Sequence, residues 1–94
     1  MKYEILQLND KSEDLMFESY DYIKSKFDID NYDVVYEGEI DDTDKETDDI
    51  LEDIYVHFNM FIPKGFKGHS MSMSDVIQLN GESYYCDRFG FVKI

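Results

Sequence analysis

The sequence predicts an α+β fold: a mostly antiparallel sheet of about four to five strands, one main helix at about 49–59, one short helix at about 20–27, and a C-terminal β-hairpin. Three observations carry this expectation. Residues 2–8, 32–40 and much of 76–94 alternate in polarity and are rich in β-branched and aromatic side chains. Ile50, Leu51, Ile54, Tyr55 and Phe58 instead follow i, i+1, i+4, i+5, i+8, a stripe with the helical period of about 3.6 residues. Asn80-Gly81 lies between two strand-like runs. A type I′ turn needs positive φ at both central residues, and Asn-Gly supplies it.

Taken in order, Lys2–Leu8 reads as a strand, with Tyr3, Ile5 and Gln7 on one side and Glu4, Leu6 and Leu8 on the other. Asn9–Ser12 is a turn cluster, and Asp14–Phe17 is an apolar patch of either type. Ser19 is the candidate N-cap of the short helix, whose face is Tyr20, Ile23 and Phe27. Asp28–Asn31 reads as loop. In the strand from Tyr32, strict alternation sets Tyr32, Val34 and Tyr36 against Asp33, Val35 and Glu37. Asp41–Asp48 is without an apolar residue and reads as a solvated loop. Asp49 and Glu52 have the spacing of a capping box for the main helix. Pro63 and Gly65 break the connection that follows. From Gly68 the pattern becomes β, with Met71 and Met73 inward between serines. Tyr84 and Tyr85 point to opposite faces, one of them outward, and a last strand follows a turn at Gly90.

Ninety-four residues make one domain, 1–94, near the lower size limit for a self-sufficient core. Fifteen residues are Tyr or Phe, which excludes a disordered acidic tail. Charge is the anomaly: twenty-two acids face nine bases, for a formal net charge of −13. Direct binding to DNA or RNA is therefore not expected, because neutralising phosphates supplies most non-specific affinity. Docking on an anionic membrane is not expected either. The partner classes left are basic proteins, cations and cationic ligands. A single cysteine, Cys86, allows no intramolecular disulfide and suits a reducing cytosol. Met1–Leu8 lacks the apolar core of a signal peptide, and no run approaches the ~20 apolar residues of a membrane span.

The acids concentrate. Glu37, Glu39, Asp41, Asp42, Asp44, Glu46, Asp48, Asp49, Glu52 and Asp53 put ten carboxylates in seventeen residues, opposed by Lys45 alone. This reads either as a solvated loop that aids solubility or as a surface imitating nucleic-acid phosphates. The self-repulsion of such a density opposes compaction. A calcium loop fits poorly. Asp42, Asp44 and Glu46 take positions 1, 3 and 5, but Thr47 stands where the sharp turn needs Gly and Asp53 where a bidentate Glu belongs. No metal or cofactor is expected. His57 reads as a boundary residue of the helix stripe. His69 could serve as a general base, with Arg88 holding phosphate, as in a two-histidine ribonuclease. His69, Ser70 and Asp75 also supply the ingredients of a triad without its geometry.

The strings Gly68-His69-Ser70-Met71-Ser72-Met73-Ser74-Asp75-Val76-Ile77 and Tyr84-Tyr85-Cys86-Asp87-Arg88-Phe89-Gly90-Phe91, with Tyr32–Glu39 and Leu51–Asn59 upstream, resemble the YodL-like domain of Firmicutes mobile elements. The resemblance runs over 32–94 and leaves 1–31 the less certain part. The chain departs from the pattern in its acidic insert between Ile40 and Asp49, and in Arg88 where a small residue is expected. The resemblance extends to small anti-CRISPR inhibitors of the type II RNA-guided DNA endonuclease. It implies a non-enzymatic protein of the bacterial cytoplasm whose partner is that nuclease. Its ten acids would occupy the basic cleft and interfere with guide-RNA loading. The alternatives are guide-RNA cleavage through His57 or His69, or an adaptor module with another basic partner.

Overall fold

The computed structural model describes residues 1–9, 18–25, 27–41, 45–61, 64–68, 71–88 and 90–94. Among them the chain forms β1 (Lys2–Leu8), α1 (Tyr20–Ile23), a 3₁₀ turn (Ile29–Asn31), β2 (Tyr32–Glu39), α2 (Thr47–Met60), β3 (Val76–Leu79), β4 (Glu82–Asp87) and β5 (Gly90–Lys93). The five strands make one antiparallel sheet in the order β2-β1-β3-β4-β5. This is the α+β class read from the sequence.

β1 lies inside the sheet because both its faces are apolar at the centre. Ile5 joins the core under α2, with Ile50, Leu51, Ile54, Phe58, Ile77 and Tyr84. Leu6 joins a second cluster on the opposite face, with Ile23, Tyr32, Val76 and Tyr85. The second face explains one correction. Tyr84 and Tyr85 do point to opposite sides, but neither is outward. Both are buried, since α1 and Phe27 cover Tyr85.

α2 begins two residues before its predicted start and ends one after. Glu46 takes the N-cap position without a side-chain bond, so Asp49 is not a capping residue. Asp48 and Asp49 lie instead in the first turn, where the exposed N–H groups favour negative charge. α1 is shorter than predicted. A helix this short has little stability of its own, and Phe27 leaves it to stack near Tyr32, at 5.5 Å between ring centroids. The Ser19 side chain makes no cap bond; Asp87 Oδ1 on β4 accepts from Tyr20 N at 3.1 Å. Asp28–Asn31 is not plain loop, because the Asp28 side chain accepts from Asp30 N and starts the 3₁₀ turn.

Strict alternation in β2 also gives way. Ile5 pairs with Tyr36 and Leu6 with Val34, so Val35 is an extra residue, a β-bulge. Val35 and Tyr36 both pack against the α2 core, and Val34 is left exposed. The Val35 carbonyl, freed by the bulge, accepts from Lys67 N at 3.1 Å.

Residues 71–75 are not strand. Met71 is buried as expected, but Ser74 has φ 81° and the chain turns before β3 starts at Val76. Asn80 and Gly81 have φ 52° and 85°, the paired positive values of the expected hairpin turn. Gly90 opens β5 rather than preceding it. Asp10–Phe17 lies outside the described residues.

Candidate functional site

The β1–β2 register sets Lys2 opposite Glu39, Tyr3 opposite Gly38 and Glu4 opposite Glu37. Alternation turns Tyr3 toward α2, where its ring meets Tyr36 and Phe58 at 6.2 and 6.3 Å. Lys2, Glu4, Glu37 and Glu39 therefore belong to the other face. Among the described residues, the second apolar cluster covers that face around Leu6, Val76 and Tyr85. Beyond it lies an open groove of about 420 Å³, walled by Glu4, Glu37, Glu39, Lys2 and Gln78. Three carboxylates there face one ammonium. Glu4 and Glu37 are direct cross-strand partners, an arrangement that disfavours the isolated sheet.

A second groove, of about 250 Å³, runs between the end of β2 and α2. Tyr3, Glu39, Ile40, Asp53, Ile54, His57 and Phe58 line it. Tyr3 and Glu39 line both grooves, which lie on opposite faces of the sheet. Burial first, and then the neighbouring Tyr36, raise the pKa of the Tyr3 hydroxyl, so it stays protonated and neutral. Asp53 Oδ2 accepts from Lys45 Nζ at 2.7 Å.

The ten acids singled out from the sequence are thus distributed by strand alternation and helix geometry. Glu37 and Glu39 come together with Glu4 in the open groove, whereas Asp53 lies across the sheet in the groove beside α2. Glu52 lies elsewhere, in a third groove of about 330 Å³ with Tyr55, Met73, Arg88 and Phe91. Asp41, Glu46, Asp48 and Asp49 are exposed on the loop and the first turn of α2. Asp42 and Asp44 lie outside the described residues. Glu4 and Tyr3 were not singled out. Their part depends on the β1–β2 register, and no local pattern around residues 3–4 announces it.

Among the described residues the candidate catalytic side chains His57, Asp75 and Arg88 are not gathered. His57 is exposed, its ring 5.3 Å from that of Phe58 and 6.1 Å from that of Phe61. Arg88 lines a different groove from His57. His69 and Ser70 lie outside the described residues. Asp75 is 1% exposed. Its Oδ2 accepts from Gln7 Nε2 at 3.1 Å and from Ser72 N at 2.9 Å, and its carbonyl accepts from Cys86 N at 2.8 Å. Beside it, Ser74 O accepts from Tyr32 O–H at 2.6 Å. The Ser-Met-Ser-Asp-Val string is a buried hydrogen-bonded knot joining β1, β2 and β4. Gly68 belongs to it. A Cβ there would collide with the Gln7 amide and press on Val35.

Cys86 is buried, and burial, with Asp75 and Asp87 nearby, pushes its thiol pKa up to about 12. Such a thiol is a poor nucleophile at neutral pH. Among the described residues no three His, Cys, Asp or Glu are grouped to hold a metal ion. Among them, too, no helix is long and apolar enough to cross a membrane.

A family model described as a YodL-like domain matches residues 2–94. No curated protein and no solved structure matches the chain.

Proposed function

The chain belongs to the YodL-like domain family, and on that premise we propose that it is a non-enzymatic anti-CRISPR inhibitor. In this reading it acts in the bacterial cytoplasm on the RNA-guided DNA endonuclease of a type II system. It occupies the basic nucleic-acid cleft and interferes with guide-RNA loading. The observation that supports the reading is the open acidic groove, with Glu4, Glu37 and Glu39 on one face of the sheet. Such endonucleases hold their nucleic acid in a positively charged channel through its backbone and shape. A rigid sheet face bearing carboxylates competes for that channel without reading sequence.

Two features favour this over a merely solvated surface. Glu4 and Glu37 are set directly opposite each other, at a cost of about 0.2–1 kcal/mol for a like-charge cross-strand pair. The acids are also carried on strands, whose fixed backbone lowers the ordering cost of binding to that of the side chains alone.

The test adds the protein to the nuclease before or after guide RNA, then reads DNA cleavage and the integrity of the RNA. Strong inhibition before loading, weak inhibition after it, and intact RNA support the proposal. The Glu4→Lys, Glu37→Lys, Glu39→Lys variant should then bind and inhibit weakly. Full inhibition by that variant would reject the mimic mechanism. Cleaved RNA would transfer the activity to His57, His69 or Arg88. Absence of the nuclease from a host pull-down would favour an adaptor with another basic partner.

A further inference from the structure

β2 is an edge strand: the order β2-β1-β3-β4-β5 gives it β1 as its neighbour on one side. Met1 and Ile40 exchange backbone bonds in both directions, each at 2.8 Å. Bonded and non-bonded pairs alternate along an antiparallel ladder. Gly38 and Tyr36 are therefore bonded to Tyr3 and Ile5, and the N–H and C=O groups of Glu37 and Glu39 point away from β1. The pairing of β1 on its other side agrees, since Lys2 O turns the opposite way and accepts from Asn80 N at 2.9 Å. Among the described residues no backbone bond reaches Glu37 or Glu39 from outside the sheet. The same rim already takes one such bond further along: Val35 O accepts from Lys67 N at 3.1 Å. The rim thus pairs with an approaching backbone, and that pairing stops short of Glu37.

We propose that the Glu37–Glu39 rim takes up an extended segment of a basic protein as an added antiparallel strand, with Lys or Arg opposite Glu37 and Glu39 and an apolar residue between them. Cross-strand partners share a face. The two basic side chains lie over the open groove that holds Glu4, Glu37 and Glu39. The middle residue, opposite Gly38, falls on the α2 face. Gly38 brings no side chain there, and the Tyr3 ring lies across it. Tyr3, Ile40 and Phe58 line the groove on that face. Main-chain bonds supply affinity, and the alternation of side chains supplies specificity. Charge decides the occupant. A second copy of this chain, paired rim to rim, sets carboxylates against carboxylates, whereas a basic segment places an opposite charge across from each glutamate. The inference goes beyond the inhibitor reading, because it stands on the strand edge and holds for any basic protein partner.

The probe is the peptide acetyl-Thr-Arg-Leu-Arg-Thr-amide, titrated into the full chain and followed by NMR and amide hydrogen exchange. In the free protein the Glu37 and Glu39 amides should exchange fast, and those of Gly38 and Ile40 slowly. The probe should bind saturably and slow exchange at Glu37 and Glu39. Methylating both arginine amide nitrogens keeps the charge but removes the donors aimed at β2, so affinity should fall about tenfold or more. Methylating the leucine nitrogen, which points away from β2, should cost little. The reordered peptide acetyl-Thr-Leu-Arg-Arg-Thr-amide, equal in charge but wrong in alternation, should bind weakly. Glu39→Pro removes a donor that an edge strand can spare. It should bind the probe more weakly than Glu39→Gln, which removes the charge and keeps the donor.

Equal affinity for the arginine-methylated or the reordered peptide would reduce the contact to bulk charge and overturn the proposal. Absence of probe binding would overturn it too, as would shifts centred on Phe91 and Lys93 of β5, the other edge. Protection of Glu37 and Glu39 that grows with protein concentration, without probe, would assign the rim to a second copy instead. The nuclease assay is a separate readout. If the probe fails while the nuclease is still inhibited, the added strand falls and the inhibitor reading stands.

Discussion

The ring of Tyr3 lies across the strand pair on the backbone of Gly38, its direct partner in the register: a Cβ built at residue 38 would stand 2.7 Å from Tyr3 Cζ. The glycine is therefore a seat for the aromatic ring rather than a flexible point. It lets Tyr3 lie flat on the α2 face, where its ring and Phe58 line one groove. Gly38→Ala should keep the fold, because the ring can swing, but should push Tyr3 out of place. We expect a loss of about 1–2 kcal/mol, the usual cost of overpacking. Urea denaturation gives the loss, and the Tyr3 ring resonances report the movement. Unmoved resonances would contradict the seating.

Asp75 is the centre of the chain's buried polar network, and its carboxylate serves structure. Asp75→Asn leaves one oxygen to replace a charged acceptor of two bonds. A loss of about 1.5–3 kcal/mol is expected. Gly68→Ala should destabilise through the same network by displacing Gln7. The two changes break one shared Gln7–Asp75 contact, so their combined effect in urea should be less than additive. Strict additivity would mean that Gly68 acts through Val35 alone.

The fold was legible where one local rule decided it. The α2 stripe, the two-faced apolar centre of β1 and the Asn80-Gly81 turn each carry their own signal. Other features depend on partners distant in sequence. The Val35 bulge answers to Lys67, and the end of α1 answers to Phe27 meeting Tyr32 and Tyr85. The burial of Tyr85 needs α1, which has almost no helical stability of its own. At the site, Glu37, Glu39 and Asp53 were visible as charge. Their division among separate grooves, with Glu52 in a third, was not, because it follows from which side of the sheet and helix each occupies. Glu4 became part of the surface only through its pairing with Glu37.

Alkali should unfold this protein through buried acids that must ionise. Burial first, and then Asp75 and Asp87, raise the Cys86 thiol from 9.0 to about 12. Burial also raises the Tyr32 and Tyr85 hydroxyls above their ordinary 10.0. A raised folded-state pKa stabilises fully below the unfolded value and loses that stabilisation as pH rises through the folded one. Stability should therefore hold steady toward pH 9.0 as far as Cys86 is concerned, and then fall as pH approaches about 12. Thermal melts across this range test the slope. In the native state Cys86 should react with a thiol reagent only as fast as the protein opens.

Position, rather than total charge, should decide partner binding. Glu37→Lys with Glu39→Lys and Asp48→Lys with Asp49→Lys change the net charge equally. The first pair lies on the open sheet face, the second in the first turn of α2. Reversing Asp48 and Asp49 sets cations against the helix's positive end, at about 0.3–1 kcal/mol each. That variant should melt earlier yet keep most of its affinity for the proposed nuclease partner. Glu37→Lys should do the opposite. It exchanges the Glu4–Glu37 repulsion for an attraction across the strands, worth about 0.2–1 kcal/mol. The variant should melt later and bind less, with a weaker salt dependence. Equal loss of binding in both pairs would show that bulk charge alone drives association, and the sheet face would lose its special status. Gain in stability joined to loss of binding would mean that the Glu4–Glu37 repulsion is kept for what it binds.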